Sequence, residues 1–395
     1  MKQLTEPLLS VAMIFAASAL FASDMLAQDA GTPHYVITAN DIYRAPNSAT
    51  VFRLSGSSLV SSPALDTTGW GIAGGFYGTN QQTVIKVGTN VCTFVSDPGS
   101  DDIAAFNTTS FASPVKVGNY DDSTGSGAYT GIALAARGST LFAGYSASVN
   151  IGVWTINADC SLTLGSSASN TPTPAPVDDL AVTPNGATLI ATYGQTFPGV
   201  GSFAISGTAL TSLGPYNTAG PTAGIDITED SKFAIIGDYS LNLTQVEIFP
   251  IKSDSSLGSE DYYNIAGGGG DSNNVWLSPD ETVLYVSSNV SLQITTLRYT
   301  ETNAAGHRLK FACLSPQLKS PAGGSIYNTV GLATAAGTGN GGYLYVAEYG
   351  NPSAVALMQI TPNGCPVEVS GSPFVNSAAV DGFPTTISAY PPRPF

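Results

Sequence analysis

Apolar and polar positions alternate in short blocks along this chain, and the blocks return at nearly constant intervals. The stretch Asn273 to Ser288 shows the pattern most clearly. Asn274-Val275-Trp276-Leu277 is a short apolar run, Ser278-Pro279-Asp280-Glu281 has turn chemistry, and Thr282 to Val286 is β-branched and aromatic. Runs this short, bounded by Ser, Pro and Asp, predict two adjacent β-strands and no helix. Related strand pairs begin at Thr83, Gly131, Asp179, Gly224 and Thr329. The first apolar residues of their inner strands, Ile85, Ile132, Leu180, Ile225, Val275 and Val330, fall 45 to 55 residues apart. Each interval has room for a third and fourth strand, such as Asp102 to Phe106 with Val115 to Val117. A period of this length with four strands per unit predicts a β-propeller.

The two ends of the chain complete the count. His34 to Thr38 reads as a strand with no inner partner ahead of it, followed by strands at Thr50 to Leu54 and Ser58 to Ser61 and a long loop from Ser62 to Gln82. Phe383 to Ser388 resembles an inner strand with nothing after it. The C-terminal strand is therefore expected to complete the first blade. The predicted fold is all-β: a seven-bladed β-propeller of four-stranded antiparallel blades, in one domain spanning residues 28–395. Closure by both termini removes an exposed sheet edge. Two β-sandwich domains would also use short strands, but the near-constant period argues against them.

Composition narrows the surroundings. Thirteen Lys and Arg stand against 28 Asp and Glu, a formal charge of -15, so the basic footprint of a nucleic-acid binder is missing. Residues 1–27 read as a secretory signal, with Lys2, an apolar run from Leu8 to Phe21, and small residues at Ala22 and Ala27, although the cleavage point is left open. No later apolar run approaches the length of a membrane-spanning helix. The expected product is a soluble, secreted or periplasmic monomer. Export permits disulfides, and Cys92, Cys160, Cys313 and Cys365 allow three pairings. Order along the repeats favours Cys92 with Cys160 and Cys313 with Cys365, each bridge joining neighbouring units.

The repeat units resemble YVTN-type repeats and the lactonase-like seven-bladed propellers related to 6-phosphogluconolactonase and carboxymuconate cyclase. Leu277-Ser278-Pro279-Asp280 with Leu284-Tyr285-Val286-Ser287, and Val182-Thr183-Pro184-Asn185-Gly186 with Ala191-Thr192-Tyr193, carry the resemblance. It implies a propeller and, for an enzyme, hydrolysis of a sugar or aromatic-acid lactone. It also implies His and Arg around the central channel, just before the inner strands. Those positions read Thr130-Gly131, Asp178-Asp179, Ala223-Gly224, Asn273-Asn274 and Asn328-Thr329, none of them basic.

Candidate chemistry therefore rests on carboxylates and aromatics. Only two histidines exist, His34 and His307, and neither has an orienting acid nearby in sequence. Asp178, Asp179 and Asp226 are the candidates for acid–base work. Asp226 and Lys86 interrupt otherwise apolar inner strands and need a partner or a watery channel if buried. Asp97, Asp179, Asp238 and Asn274 are oxygen donors suited to Ca²⁺ or another divalent cation, with Asp41, Asp271 and Glu348 predicted on the same face. Trp70, Phe76 and Tyr77 in the long loop offer aromatic faces at the channel mouth, with Asn273 and Asn274 as polar ligand contacts, or alternatively form a plug across it. The expected function is a non-catalytic scaffold binding a small molecule or a protein or cell-surface partner, with no required cofactor. A lactonase and a structural cell-surface module are the alternatives.

Overall fold

The computed structural model describes residues 34–42, 46–62, 64–72, 80–121, 132–145, 149–165, 171–194, 197–239, 244–300, 308–334, 342–378 and 386–392. The segment read as a signal, along with Phe76, Tyr77 and His307, lies outside the described residues.

Seven antiparallel sheets follow one another along the chain. Blade 2 runs Gln82–Val87, Asn90–Asp97, Asp102–Asn107 and Val115–Tyr120, from the innermost strand outward. Blade 3 repeats this with Ile132–Arg137, Thr140–Tyr145, Asn150–Ile156 and Leu162–Leu164. The inner strands of blades 4 to 7 are Asp179–Val182, Thr222–Ile227, Ser272–Leu277 and Ser325–Ala333. Blade 1 closes the ring as expected. Ile387–Tyr390, from the C-terminus, is its innermost strand and pairs antiparallel with Tyr35–Ala39, Thr38 opposite Ile387 and Tyr35 opposite Tyr390.

Side-chain alternation explains why the inner strands read as continuous apolar runs. Successive side chains point to opposite faces, and here both faces meet another blade. On Val283–Ser288, Leu284 and Val286 pack toward blade 5 while Val283 and Tyr285 pack toward blade 7. The core is accordingly divided into seven clusters, one at each seam between blades.

The long loop of the sequence reading contains an additional strand. Leu65–Trp70 pairs with Pro46–Ser55 and alternates buried and exposed positions, with Leu65 and Thr67 turned inward. No turn or periodicity signal marks it, because it is a single short run that finds its partner only in the folded blade. Both disulfides join the expected pairs. Cys92–Cys160 links blades 2 and 3, and Cys313–Cys365 links blades 6 and 7.

Candidate functional site

An inner strand of a propeller has one edge with no neighbouring strand, so its inward amides need other acceptors. Here side chains supply them. Asp179 Oδ1 accepts from its own neighbour Leu180 N at 2.8 Å, and Oδ2 accepts from Ile225 N of blade 5 at 3.1 Å. Asp226 repeats the device one blade further on, with Oδ1 accepting from Ile227 N at 2.8 Å and Oδ2 from Leu277 N of blade 6 at 2.6 Å. The Trp276 indole N–H donates to Thr334 Oγ1 of blade 7 at 2.9 Å. Asn80, just ahead of the blade 2 inner strand, donates to Asp179 Oδ1 at 2.6 Å, accepts from Thr386 of blade 1 at 3.4 Å, and accepts from Leu134 N of blade 3 through its backbone oxygen at 2.7 Å. These bonds stitch the inner strands into a polar ring.

Around the ring axis lies a cavity of about 570 Å³. The inner strands all start on the same face of the propeller, so the cavity has Asn80 toward its first end. Toward the other end, where those strands turn, it has Lys86, Arg137 and Pro184. Trp276, Leu134 and Ile227 are among the residues that line it. Lys86 is exposed to this space and Arg137 is half-buried. Neither enters an ion pair among the described residues. The Arg137 stem passes over the turn at Gly186, whose φ of +72° suits a residue without a Cβ.

The other predicted site residues are dispersed. Asp178 is buried beside Gly194, and its N–H donates to Thr192 O. Asn273 donates to Thr329 O at 3.2 Å and to Asn289 Oδ1 at 3.4 Å, while Asn274 is buried against Gly224. Trp70 is 52% exposed at the rim between blades 1 and 2, where its backbone N–H donates to Ser100 Oγ at 2.9 Å, away from the cavity lining. Asp97, Asp179, Asp238 and Asn274, the candidate metal donors, belong to blades 2, 4, 5 and 6. Among the described residues no group of three or more His, Cys, Asp or Glu side chains is arranged to hold a metal ion.

Several carboxyls at strand ends are buried instead of solvated. Asp97 Oδ1 accepts from Asn47 at 2.9 Å and Thr67 at 2.7 Å, yet burial, and then Asp102, push its carboxyl well above the usual range. Burial, with Glu368 adding to it, does the same to Glu348. Burial raises Asp271 to about 6, against an opposing hydrogen bond from Asn289. Asn80, Arg137 and Glu247 escaped the sequence reading. A lone cation at the end of an inner strand was the available signal for Arg137, as it was for Lys86, whereas nothing local marks Asn80.

No protein-family model and no curated protein matches the chain. Solved structures do. A candidate 6-phosphogluconolactonase from Bacteroides fragilis superposes with a TM-score of 0.67 at 16% identity, covering 91% of this chain and 99% of its own. The periplasmic gluconolactonase of Pseudomonas aeruginosa gives 0.61 at 15% identity, covering 87% and 98%. A protein of unknown function from Desulfotomaculum acetoxidans gives 0.59 at 13% identity, covering 91% and 99%. At such identities the likeness carries architecture alone, and the chain has the fold of the 6-phosphogluconolactonase-like seven-bladed β-propellers.

Proposed function

We propose that this chain is an exported, non-catalytic propeller that holds a small anionic, ring-bearing ligand in its central cavity. The observation that carries this reading is that Lys86, Arg137 and Trp276 line one cavity, neither cation in an ion pair among the described residues, in a protein with 13 basic residues and a net charge of -15. Two cations would hold a carboxylate or phosphate, and the indole and aliphatic wall would cover the ligand's apolar face. The carboxylates nearest the axis favour binding over chemistry, because Asp179 and Asp226 each commit both oxygens to backbone amides. Two disulfides and the likeness to a periplasmic protein support export.

Calorimetric titration with phenyl phosphate, benzoate and 6-phosphogluconate tests the reading. Lys86→Ala combined with Arg137→Ala is expected to weaken the tightest of these by tenfold or more, since about 1.4 kcal/mol of lost contact is a factor of ten. Equal binding by the double variant, or none by the wild type, overturns it.

A lactonase is the second reading, favoured by the likeness to proteins described as lactonases and by Asp271, a buried carboxyl with a pKa of about 6 at the head of the blade 6 inner strand. Turnover of a lactone by the purified chain, with or without divalent ions, and its loss in Asp271→Asn would replace the first reading with the second.

A further inference from the structure

The face of blade 5 that looks toward blade 4 changes chemistry along its length. On its second strand, Phe233–Asp238, the alternate residues Ala234, Ile236 and Asp238 share that face. Their partners on the third strand, Thr244–Pro250, are Phe249, Glu247 and Gln245. Ala234, Ile236 and Phe249 pack with Ile190 and Val200 of blade 4 in one apolar cluster. Beyond them the seam turns to oxygen. Glu247 lies opposite Tyr262 of the fourth strand, Asp261–Ile265, and the Tyr262 hydroxyl accepts from Gln245.

Two of these side chains are buried without the partners that burial demands. Asp238 is 1% exposed, and neither of its carboxylate oxygens has a hydrogen-bond partner. Glu247 is 0% exposed: Oε1 accepts from Ala219 N at 2.8 Å, with the Gly220 N–H beside it, while Oε2 has no partner. Both carboxyls close on one point of the chain. A Cβ on Gly220 would collide with the Asp238 carboxylate, and the N–H of the same residue acts on Glu247. The segment around it, Thr218 to Pro221, leaves blade 4 for blade 5 and contains no basic residue. The remaining groups near the pair, Glu260 and Tyr262, bring no positive charge, and among the described residues no Lys, Arg or His acts on either carboxyl.

Other buried carboxylates of the ring meet donors: Asp97 has Asn47 and Thr67, and Asp179 and Asp226 have backbone amides. Three oxygens without donors, brought together by one glycine, are different. Buried carboxylates are stable when paired or when they coordinate a metal ion. We infer that Asp238 and Glu247 form a binding site for a hard divalent cation, Ca²⁺ or Mg²⁺, which ties the crossover between blades 4 and 5 to the oxygen-lined end of their seam. Asp238 Oδ1 and Oδ2 and Glu247 Oε2 are the protein ligands, and water completes the shell, as is usual for Mg²⁺ and common for Ca²⁺. The Ala219 N–H fixes Glu247 through Oε1 and leaves Oε2 for the ion. An all-oxygen donor set suits these cations over metals that take thiolate or imidazole. Of the four metal donors expected from the sequence only Asp238 belongs to the site, and neither reading of the cavity uses it. The crossover leads directly into Thr222–Ile227, an inner strand whose Ile225 lines the cavity. The cation therefore anchors the entry to that strand.

Calorimetric melting of the full chain at about pH 8, where carboxylates are available as ligands, tests the site. Chelator-treated protein is titrated with CaCl₂ or MgCl₂ against NaCl of equal ionic strength. A cation that binds only the folded state should raise Tm by about 2 °C for each tenfold increase in its concentration above Kd. Glu247→Gln and Asp238→Asn, which keep the side-chain shape and remove one charge each, should fold without added ion and lose that response. Hydrogen exchange of wild-type peptides carrying the Ala219 and Gly220 amides should slow when the cation is added, a readout that needs neither variant to fold. No rise in Tm beyond the NaCl control with either ion overturns the site, since protons then satisfy the pair. A rise of the same size in a variant that folds, or a rise without added protection at Ala219 and Gly220, puts the ion elsewhere and also overturns it.

Discussion

Asn80 Nδ2 lies 2.6 Å from Asp179 Oδ1, although the two residues belong to blades 2 and 4, which are not neighbours in the ring. The bond reaches past blade 3, whose Leu134 N–H is taken by the Asn80 backbone oxygen. Asp179 then passes the connection on to Ile225 of blade 5. With Thr386 of blade 1 donating to the Asn80 side chain, five blades meet through Asn80 and Asp179.

Asp179→Ala should therefore damage stability more than any ligand affinity. It leaves Asn80 Nδ2 and the Ile225 N–H without their acceptor, and an orphaned buried donor costs about 1 to 3 kcal/mol. The expected loss is about 3 kcal/mol, read as a lower urea midpoint at unchanged slope. A midpoint equal to that of the wild type would show that water replaces the carboxylate at no cost.

Asp226→Leu should likewise destabilise. The carboxylate bridges Ile227 N and Leu277 N across the seam of blades 5 and 6, and a leucine of similar size supplies no acceptor. Asp226→Asn, which can still accept one of the two bonds, should lie between the leucine variant and the wild type. The order of the three melting temperatures is the measurement.

Stability should fall as the solution becomes more alkaline. Asp271 at about 6, and Asp97 and Glu348 raised well above the usual range, all bind protons more tightly folded than unfolded. The folded state then carries more protons than the unfolded state, so unfolding free energy declines with pH across the interval between the two values. For Asp271 that interval runs from about 4 to about 6. Calorimetric melting across this range should show the decline, and Asp271→Asn should make it shallower. A melting temperature that rises with pH there would contradict the burial of these groups.

Reduction should loosen two seams. Cys92–Cys160 and Cys313–Cys365 close chain segments of 68 and 52 residues. Replacing one pair by alanine should cost roughly 2 to 5 kcal/mol, because the unfolded chain regains the freedom that the bridge removes. Pulse proteolysis of each double variant, without reductant, gives the number directly.

Much of this architecture was readable along the chain. A ruler through Ile85, Ile132, Leu180, Ile225, Val275 and Val330 counts blades because each blade buries its inner strands on both faces, which imposes the same apolar run every time. The unpartnered strand at Tyr35 and the orphan strand at Ile387 announce ring closure for the same reason. Cysteine order picked the right bridges because neighbouring units in sequence are neighbouring blades in space. The strand Leu65–Trp70 and the placing of Trp70 at the rim were not readable, since both depend on which edge of blade 1 was left to pair.

The candidate site was legible only in part. Lys86 and Asp226 stand out as charges within apolar strands, and both line the cavity. Arg137 and Asn80 look ordinary until the ring brings their blades together. The carboxyls of Asp97, Asp238 and Glu348 read as oxygen donors gathered on one face, yet they are buried in separate blades. Local composition determines that an acid occurs at a strand end. Whether it meets water, a backbone amide or another acid depends on the neighbouring blade. By itself, the order of residues determined the repeat, the number of blades, the closing strand and the pairing of cysteines, all of which follow from periodic burial along one chain. Only the tertiary structure decided which polar groups would share a low-dielectric seam, because those contacts join segments tens of residues apart and their energies depend on what else is buried there.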